Sequence, residues 1–578
     1  MTRTGTQAFN HRYPIDDLPR TGDAVKETGQ AEYGAVYTRS WVTEFILDLS
    51  GYEPEQNLVD KITVEPSCGG GEFLEPIIRR LSASCHRQGR PLHDCSGSLQ
   101  AFEINPQAIT ISRKRAESVL LNCGWDETEI RGIVQNWIRQ ADFLLDPEIE
   151  LIGRLGEGID FVIGNPPYIR LESINPETTN YYRKLFKTMT GRADIYVGFY
   201  EKALSLLNPG GVCGFICADR WMLNQYGSNL RRLITKDFSV EAVIEMHNAD
   251  AFQNEVLAYP AITIIRREKQ GKALVARIDN PGDNSTTKEI VKAARQIRKN
   301  PQASSHSFPQ ANNSVVVNEW FQGSAPWPCV APKRLELLKY LEASFPPLED
   351  ASTGTKVGIG VATGADKVFI TDDPELVERA RLLPMALAKD TITGKLDWSG
   401  HFLVNPWSPD GDLVDLEHYP LLQWYFEKNK AALKKRNVAQ RNPERWFRTI
   451  DKVNHALTTE PKLLMPDIKN AAHPVFDEGT VYPHHNLYHV VSKRWDLKVL
   501  GGILLSRVGQ FFIECYAVRM QGGYLRFQAQ YLRRIRVPRM ELISTEQALS
   551  LSEAFETRDV DKATQAALKA YGLDCIPE

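Results

Sequence analysis

The segment GIDFVIGNPPYIR, Gly158 to Arg170, places an amide, two prolines and an aromatic ring directly after a short apolar run. The run is typical of a buried parallel strand, and Gly164 permits a sharp turn at its carboxyl end. Because proline has no N–H donor, the carbonyls of Asn165 and Pro166 stay open to a donor from elsewhere. Ligands of open α/β sheets bind at that edge, so the segment predicts a binding site that also includes Pro167 and Tyr168. A polyproline turn on the surface is the structural alternative.

A second candidate lies upstream, in ITVEPSCGGGEFLEPIIRRL, Ile62 to Leu81. Gly69 to Gly71 remove every Cβ where a ligand would lie against the backbone, ahead of a predicted helix. The loop differs from GxGxxG and lacks the Lys-Ser/Thr ending of a phosphate loop, so neither NAD nor ATP is favoured. Glu65 would repel phosphate and attract a cation such as the ammonium at the methionine end of S-adenosylmethionine. A glycine-rich turn with Glu65 as a capping acid is the alternative.

Acidic residues follow two further predicted strands. Glu103 ends the strand in LQAFEINPQAI, where a carboxylate can accept from both hydroxyls of a ribose. In IRQADFLL, Asp142 could accept from the exocyclic amine of adenine, and Phe143 could pack against its ring. Solvated acids and a core phenylalanine are the ordinary alternatives, but the order of these residues before Asn165 favours one nucleoside site.

The elements that must position these residues alternate from Tyr33 to about Arg267, as in a doubly wound parallel sheet. One predicted helix spans Phe73 to Ser84, with its apolar residues on one face. The predicted strands are Ile62–Val64, Leu99–Phe102, Phe161–Ile163, Val212–Cys217, Val240–Glu245 and Ala261–Ile265.

Length and composition set limits on the whole chain. At 578 residues we expect two or three domains, and a net charge of -3 argues against a uniformly basic coat for nucleic acid. The 9 cysteines include no CxxC pair, so they indicate reduced thiols rather than a zinc site or a disulfide framework. No apolar stretch is long enough for a membrane span, and we expect neither export nor a membrane partner.

Composition also divides the chain. Residues 1–30 are polar and are expected to form a flexible arm. The alternating region covers 31–280, and residues 281–330, rich in Ser, Asn and Gln, are expected to link it to a separate α+β module at 331–578.

The segments AEYGAVYTRSWVTEFIL, VEPSCGGGEFL, AFEINPQAI, ADFLL, IGNPPYIR and GRADIYVGFYEKALSLLNPGGVCGFICADRWM together resemble the gamma-class N6-adenine DNA methyltransferases in order and spacing. The resemblance implies a Rossmann-like class I S-adenosylmethionine-dependent methyltransferase sheet with helices on both faces in residues 31–280. Many members have proline where Arg39 stands here. The cofactor-binding residues that the resemblance implies are Tyr37, Thr38, Glu65, Ser67, Gly69, Glu103, Ile104, Asp142, Phe143 and Asn165.

The expected chemistry is transfer of methyl to an adenine amine, whose lone pair is delocalised into the ring. The Asn165 side-chain oxygen and the Pro166 carbonyl would accept from both amine protons and return electron density to nitrogen. No metal is required. The base would be flipped out of the duplex and stacked on Tyr168. Phe252 stands at the matching position for a second aromatic ring, with a core role as the alternative.

Residues from about 355 onward resemble the TaqI-like target-recognition domain, which makes 331–578 the expected DNA-reading domain. The densest basic stretch, interleaved with Trp446 and Phe447, suits phosphate contacts and comprises Lys428, Lys430, Lys434, Lys435, Arg436, Arg441, Arg445 and Arg448. A second cluster, of arginines, lies at 526–536 and could serve the same purpose.

The sequence therefore predicts a site-specific adenine methyltransferase of a restriction–modification type, in the bacterial cytoplasm on the nucleoid. Its partners would be double-stranded DNA and a separate restriction or defence-system subunit. Two alternatives remain open: methylation of RNA or of a protein glutamine, and a DNA-binding specificity subunit without catalysis.

Overall fold

The computed structural model describes residues 37–154, 158–253, 259–279, 284–301, 314–469, 471–517, 525–527 and 529–577. The chain forms two compact units, Met1–Lys333 and Arg334–Glu578. The expected arm at residues 1–30 lies outside the described residues.

A nine-stranded sheet forms the first unit. Its strands are β1 (Thr63–Glu65), β2 (Leu99–Glu103), β3 (Ile138–Gln140), β4 (Ile159–Gly164), β5 (Leu207–Ala218), β6 (Ser239–Glu245), β7 (Pro260–Arg266), β8 (Ala273–Arg277) and β9 (Ser314–Val317). The strand order is β3-β2-β1-β4-β5-β7-β6-β8-β9. The six predicted strands are confirmed as β1, β2, β4, β5, β6 and β7, with ends that differ by up to five residues.

The predicted α/β sheet with helices on both faces is confirmed, and it is mixed rather than wholly parallel. Strands β1 to β5 pair in parallel, whereas β7 runs antiparallel to both β5 and β6, and β9 runs antiparallel to β8. The described part of the connection between β6 and β7 contains no helix, whereas a crossover between parallel strands usually contains one. The two strands are accordingly antiparallel neighbours. A strand buried on both faces has the same apolar pattern in either direction, which is why the sequence did not distinguish them.

Helices cover both faces of this sheet. Phe161 and Ile163 of β4 belong to the core packed against the first two helices, while Phe215 of β5 contacts Tyr200 with ring centroids 5.0 Å apart. The helices are α1 (Ser40–Ser50), α2 (Leu74–Arg87), α3 (Pro106–Asn122), α4 (Glu127–Trp137), α5 (Pro147–Arg154), α6 (Pro176–Leu185), α7 (Tyr196–Leu206), α8 (Arg220–Leu223), α9 (Ser228–Asp237) and α10 (Asn284–Lys299). The helix predicted over Phe73–Ser84 is confirmed as α2.

The segment 281–330, expected to be a linker, contains α10 and the edge strand β9. Ile290, Val291, Ala294 and Ile297 of α10 lie in the same core as the residues of α1. Their spacing is that of one helical face, and the polar residues between them cover the outer face. The polar composition of this segment thus predicted a linker where the structure has an amphipathic helix.

The second unit is an α+β module. Its strands are β10 (Lys356–Ile359), β11 (Ile370–Thr371), β12 (Leu382–Ala386), β13 (Phe402–Val404), β14 (Lys462–Pro466), β15 (Ile468–Lys469), β16 (Val475–Asp477), β17 (Tyr482–Pro483), β18 (Leu487–Val491) and β19 (Leu525–Arg526). They form sheets in the orders β10-β18-β14-β16, β11-β13-β12-β17 and β15-β19.

The helices that accompany these sheets begin with α11 (Pro332–Ser344), which spans the boundary between the units. The others are α12 (Asp366–Phe369), α13 (Pro420–Lys428), α14 (Lys430–Lys434), α15 (Asn437–Arg441), α16 (Ala456–Thr459), α17 (Leu497–Leu505), α18 (Arg507–Tyr516), α19 (Ala529–Leu532), α20 (Thr545–Thr557) and α21 (Val560–Tyr571). Within the described ranges, no single helix has the length and apolarity to cross a bilayer, although α17 and α18, bent by 62°, reach that length and composition together.

Candidate active site

A cleft lies at the carboxyl ends of β1, β2 and β4. Strand β1 pairs in parallel with β2 on one side and β4 on the other, so the order of the sheet reverses there. Open α/β sheets bind ligands at such a reversal. The structure brings twelve sequence-predicted residues together in the cleft lining: Tyr37, Thr38, Glu65, Ser67, Gly69, Glu103, Ile104, Asp142, Phe143, Asn165, Pro166 and Pro167.

The glycine loop between β1 and α2 adopts a backbone that side chains disfavour. Gly69 has φ of 50° and Gly71 has φ of 90°, both in the left-handed region. A Cβ on Gly70 would lie 3.0 Å from a carboxylate oxygen of Glu72, which accepts a hydrogen bond from Arg115 at 3.0 Å. The loop therefore keeps side chains out of this part of the cleft, which the carboxylates of Glu65, Glu72 and Glu103 also line.

Glu65, at the end of β1, is a buried acid with an unsatisfied oxygen. The residue is 1% exposed, and its Oε2 has no hydrogen-bond partner among the described residues. Burial, followed by the nearby carboxylates of Glu72 and Glu103, raises the pKa of Glu65 well above its ordinary value. A buried carboxylate beside other carboxylates is stabilised by a cation, which makes this corner of the cleft a candidate cation site.

Glu103, at the end of β2, accepts backbone hydrogen bonds in this structure. Its Oε2 accepts from the N–H of Gly69 at 2.9 Å, and its Oε1 accepts from the N–H groups of Ile104 and Asn105, each at 2.9 Å. Burial raises the pKa of Glu103, while these bonds act in the opposite direction. A carboxylate has about four lone-pair sites, so Glu103 can hold the loop and still accept from a hydroxyl.

Asp142, just after β3, is linked to a residue that the sequence analysis did not identify. Its Oδ2 accepts a hydrogen bond from the Tyr182 hydroxyl at 2.5 Å, and its Oδ1 accepts from the N–H of Leu144 at 2.9 Å. Burial raises the pKa of Asp142. Tyr182 comes from α6 and also lines the cleft. No local sequence signal pairs it with an aspartate 40 residues away.

Phe143 combines a place in the cleft lining with a core position. It is 1% exposed, and its ring centroid lies 5.5 Å from that of Phe102 and 5.6 Å from that of Phe199. The packing fixes the ring at the floor of the cleft, next to Asp142.

Asn165 and Thr38 join two distant parts of the chain at the cleft. The Asn165 side-chain nitrogen donates to the Thr38 hydroxyl at 3.1 Å. Thr38 in turn forms an antiparallel bridge with Phe252, and the N–H of Gln253 donates to the Tyr37 carbonyl at 2.9 Å. The orientation of the Asn165 amide is therefore set by a backbone ribbon from residues 37–39 and 251–253.

Arg39 stabilises the same ribbon. Its Nε donates to the Phe252 carbonyl at 3.0 Å, and its guanidinium pairs with Asp250 at 2.7 Å. A proline at position 39 would have neither contact, so this departure from the usual family pattern acts on the position of Phe252 rather than on the cleft lining.

Tyr168 and Phe252 lie outside the cleft lining but contact each other. Their ring centroids are 6.2 Å apart and their planes meet at 81°, while the Tyr196 ring lies 6.3 Å from Tyr168 at 63°. Phe252 is 7% exposed and belongs to the core. The two rings thus meet edge to face and leave no slot with two parallel walls between them in this structure.

The basic stretch of the second unit divides into exposed and structural residues. Trp446 is 9% exposed and packs with Phe447 in the core. Arg436 donates to the backbone carbonyls of Thr363 and Trp446, so its charge serves the fold. The exposed basic residues are Lys428, Lys434, Lys435, Arg441 and Arg445. The exposed aromatic nearby is Trp424, at 61%, which the sequence analysis did not select.

Comparison with known proteins gives two family matches. Residues 98–252 match the Eco57I restriction-modification methylase family, and residues 420–537 match the TaqI-like C-terminal specificity domain. The first match covers the strands that carry Glu103, Asp142 and Asn165, and the second covers the basic stretch.

Individual relatives cover most of the chain. It is 42% identical over 552 residues to type II methyltransferase M.PaeR7I of Pseudomonas aeruginosa, covering 95% of this chain and 93% of that protein. It is 41% identical over 551 residues to type II methyltransferase M.XhoI of Xanthomonas vasicola, covering 94% and 98%. The fold is similar to that of the type IIL restriction-modification enzyme MmeI, solved in complex with DNA, with a TM-score of 0.52 and 13% identity over 93% of this chain and 74% of that one. The chain therefore belongs to the type II methyltransferases of restriction–modification systems, with a methylase region of the Eco57I type and a TaqI-like specificity domain.

Proposed function

We propose that this protein transfers the methyl group of S-adenosylmethionine to the N6 amine of an adenine flipped out of double-stranded DNA. The observation that carries the proposal is the position of Asn165 and Pro166 in one cleft with the buried, unsatisfied carboxylate of Glu65. An acceptor pair for an amine and a site for a cation thus lie side by side.

The residues of the cleft fit S-adenosylmethionine. Glu65 offers a carboxylate oxygen without a hydrogen-bond partner in the described part of the chain, which suits the ammonium of the methionine end. Gly69 and Gly71 keep side chains away from the loop, and Glu103 and Asp142 stand at the ends of successive strands. In this assignment Tyr37, Thr38 and Ser67 border the methionine end, Glu103 and Ile104 the ribose, and Asp142 and Phe143 the adenine.

The Tyr182 hydroxyl refines the role of Asp142. Because it already donates to Oδ2, it fixes the carboxylate and leaves the second lone pair of that oxygen for an exocyclic amine. The bound cofactor supplies an activated methyl group on its sulfonium. The chain's own residues then have three tasks, which are to align the acceptor amine, to exclude water and to accept hydrogen bonds from the amine.

Asn165 and Pro166 perform the third task. The Asn165 side-chain nitrogen donates to the Thr38 hydroxyl, which orients the amide, and the amide oxygen has the chemistry to accept from the substrate amine. Among the described residues, no backbone N–H donates to the Pro166 carbonyl. Two acceptors on the two amine protons increase electron density on nitrogen, and a neutral amide does so without adding a charge to a partly buried site.

Tyr168 and Phe252 are the residues we assign to the flipped base. Stacking on aromatic rings offsets part of the free energy of unstacking the base from the duplex. Because the two rings now meet edge to face at 81°, a base that enters between them must rotate at least one ring. The match of residues 420–537 to a TaqI-like specificity domain and the exposed lysines and arginines of the second unit support DNA as the substrate.

The test is transfer of labelled methyl from S-adenosylmethionine to unmethylated duplex DNA, followed by mapping of the modified bases. We expect N6-methyladenine within one short sequence context. Asn165→Ala should abolish transfer and lower cofactor affinity far less, with the affinity measured separately by calorimetry. Tyr182→Phe is the comparison variant in the same cleft: because its hydroxyl fixes Asp142 on the cofactor's adenine side, it should weaken cofactor binding rather than abolish transfer.

Two results would contradict the proposal. Methyl incorporation into RNA or a protein glutamine, with none into DNA, would favour the first alternative. Specific DNA binding by a protein that shows no affinity for S-adenosylmethionine would favour the second, a specificity subunit without catalysis.

A further inference from the structure

Three side chains of the second unit converge at a place unrelated to the cleft. Asp366 begins α12, whereas His484 and His485 follow β17, 118 positions later in the chain. One ligand-type atom from each of the three lies within 4.8 Å of the others. We propose that Asp366, His484 and His485 hold a divalent transition-metal ion of the zinc class.

The distance between the first two ligand atoms is that of ligands sharing one ion. His484 Nε2 lies 3.3 Å from Asp366 Oδ2, within the range of an ion pair. Zinc binds nitrogen and oxygen at about 2.0–2.2 Å, so two ligands at a tetrahedral angle lie about 3.3–3.5 Å apart. The separation thus matches the edge of a coordination tetrahedron.

Both imidazoles present buried nitrogens with the chemistry to bind an ion. His484 is 4% exposed and its Nε2 faces Asp366 Oδ2, whereas the buried Nδ1 of His485 has no hydrogen-bond partner in the described structure. The two ring centroids are 4.0 Å apart, with their planes at 60°. A buried polar atom left unpaired destabilises a folded protein, and an ion shared by the cluster would give these nitrogens a ligand bond.

Backbone contacts hold the two histidines in place. The N–H of His484 donates to the Ala386 carbonyl at 3.0 Å, and that of His485 donates to the Val361 carbonyl at 3.1 Å. Gly360 approaches so closely that a Cβ there would lie 2.2 Å from the His484 carbonyl oxygen. These contacts set the ligands before an ion arrives.

Asp366 has a supporting contact of the kind that metal ligands commonly have. The Thr363 hydroxyl donates to its Oδ1, which leaves Oδ2 directed at His484. The Asp366 side chain is 46% exposed, so the ion would have an outer side for a water molecule. Two imidazoles and one carboxylate with an open position are a ligand set that zinc and related ions accept.

A second cluster, Asp219, His247 and Cys329 of the first unit, provides a contrast. His247 Nε2 lies 2.8 Å from Asp219 Oδ2, and Nδ1 lies 3.1 Å from Glu245 Oε1. Both nitrogens already face carboxylates, as in an imidazolium that donates from each side. In the first unit both histidine nitrogens thus have a carboxylate partner, whereas in the described part of the second unit His485 Nδ1 has none.

The experiment is titration of the metal-stripped full-length protein with Co²⁺, followed in the visible spectrum, with Zn²⁺ as competitor. We expect one Co²⁺ per chain with intense ligand-field bands, displaced by Zn²⁺. Asp366→Asn and His485→Gln should each weaken binding by at least about tenfold. His93→Gln, at an exposed histidine of the first unit, is the matched control and should bind as the unmodified protein does.

Several outcomes would overturn the proposal. These are no Co²⁺ binding by the unmodified protein, equal binding by the Asp366 and His485 variants, or a thiolate-to-cobalt charge-transfer band that disappears in Cys329→Ser. Because the variants must be folded for the comparison, circular dichroism and S-adenosylmethionine binding accompany each titration. Thermal unfolding with and without Zn²⁺ is the second readout, and an increase in Tm confined to proteins with intact ligands is expected.

Discussion

The Asn165 side-chain nitrogen donates to the Thr38 hydroxyl at 3.1 Å, across 127 positions of the chain. This bond makes Thr38 a positioning residue for the amide. We expect Thr38→Val, which keeps the shape and removes the hydroxyl, to lower kcat about tenfold, since a hydrogen bond of this kind contributes about 0.5–1.5 kcal/mol. The affinity for S-adenosylmethionine should change less than kcat.

Single-turnover methyl transfer and calorimetry together measure both quantities. Thr38→Ser retains the hydroxyl and should restore most of kcat. A Thr38→Val protein with normal kcat and weak cofactor binding would place the residue in cofactor binding instead.

Glu65 makes cofactor binding depend on pH. Its pKa in the folded protein lies well above the ordinary 4.5, because of burial and then the charges of Glu72 and Glu103, so it retains a proton above pH 4.5. A cation favours the ionised carboxylate, so binding releases that proton, and affinity should rise with pH until Glu65 is ionised in the free protein. The slope is at most about tenfold per pH unit for one proton.

Calorimetry from about pH 5 to 7, where the cofactor's α-amino group stays protonated, measures this slope. Glu65→Gln should bind the cofactor more weakly and flatten the pH dependence. A variant that keeps the slope of the unmodified protein would show that another group titrates.

Any side chain at Gly71 is expected to lower the free energy of unfolding. Its φ is 90°, and an added Cβ would lie 3.3 Å from Cδ of Arg115. Gly71→Ala should lower the free energy of unfolding by about 1–2 kcal/mol, the penalty of a left-handed backbone for an L-residue. Urea denaturation measures the change, and Gly97→Ala, where a Cβ would meet no atom within 4 Å, is the control.

Lys462 and Asp477 form a buried ion pair in the second unit. Their charged atoms lie 2.6 Å apart, and both side chains are 0% exposed. Lys462→Met should lower the free energy of unfolding by about 3–5 kcal/mol, because it leaves the aspartate charge buried without its partner. Asp561→Asn breaks a comparable pair with Arg507 whose side chains are 77% and 67% exposed, and should cost at most about 1 kcal/mol. Similar losses for the two variants would contradict this ranking.

The exposed part of the basic stretch should contribute to DNA affinity through phosphates. We expect Lys434→Ala with Lys435→Ala to weaken binding to every DNA sequence alike and to reduce the salt dependence of log K by up to about 2. Trp446→Ala should instead lower stability, since that side chain is buried. Fluorescence anisotropy at several salt concentrations separates the two effects. An unchanged salt slope in the double variant would remove these lysines from the interface.

The sequence alone predicted twelve of the residues that line the cleft, because the carboxyl ends of neighbouring parallel strands meet at one edge of a sheet. Glu65, Glu103 and Asn165 each stand at the carboxyl end of a largely apolar strand, and that local pattern was enough to place them together. The same local pattern predicted α2 and six of the strands.

Tertiary structure decided the features that depend on residues far apart in sequence. The bond from Tyr182 to Asp142, the ribbon that Arg39 stabilises and the cluster of Asp366 with two histidines have no local signal, since each needs the packing of separate elements. The direction in which a strand pairs and the depth at which a side chain is buried likewise depend on the rest of the fold. An apolar run does not show that β7 runs antiparallel, and a tryptophan among arginines does not show that Trp446 lies in the core, because both follow from what the rest of the chain packs against them.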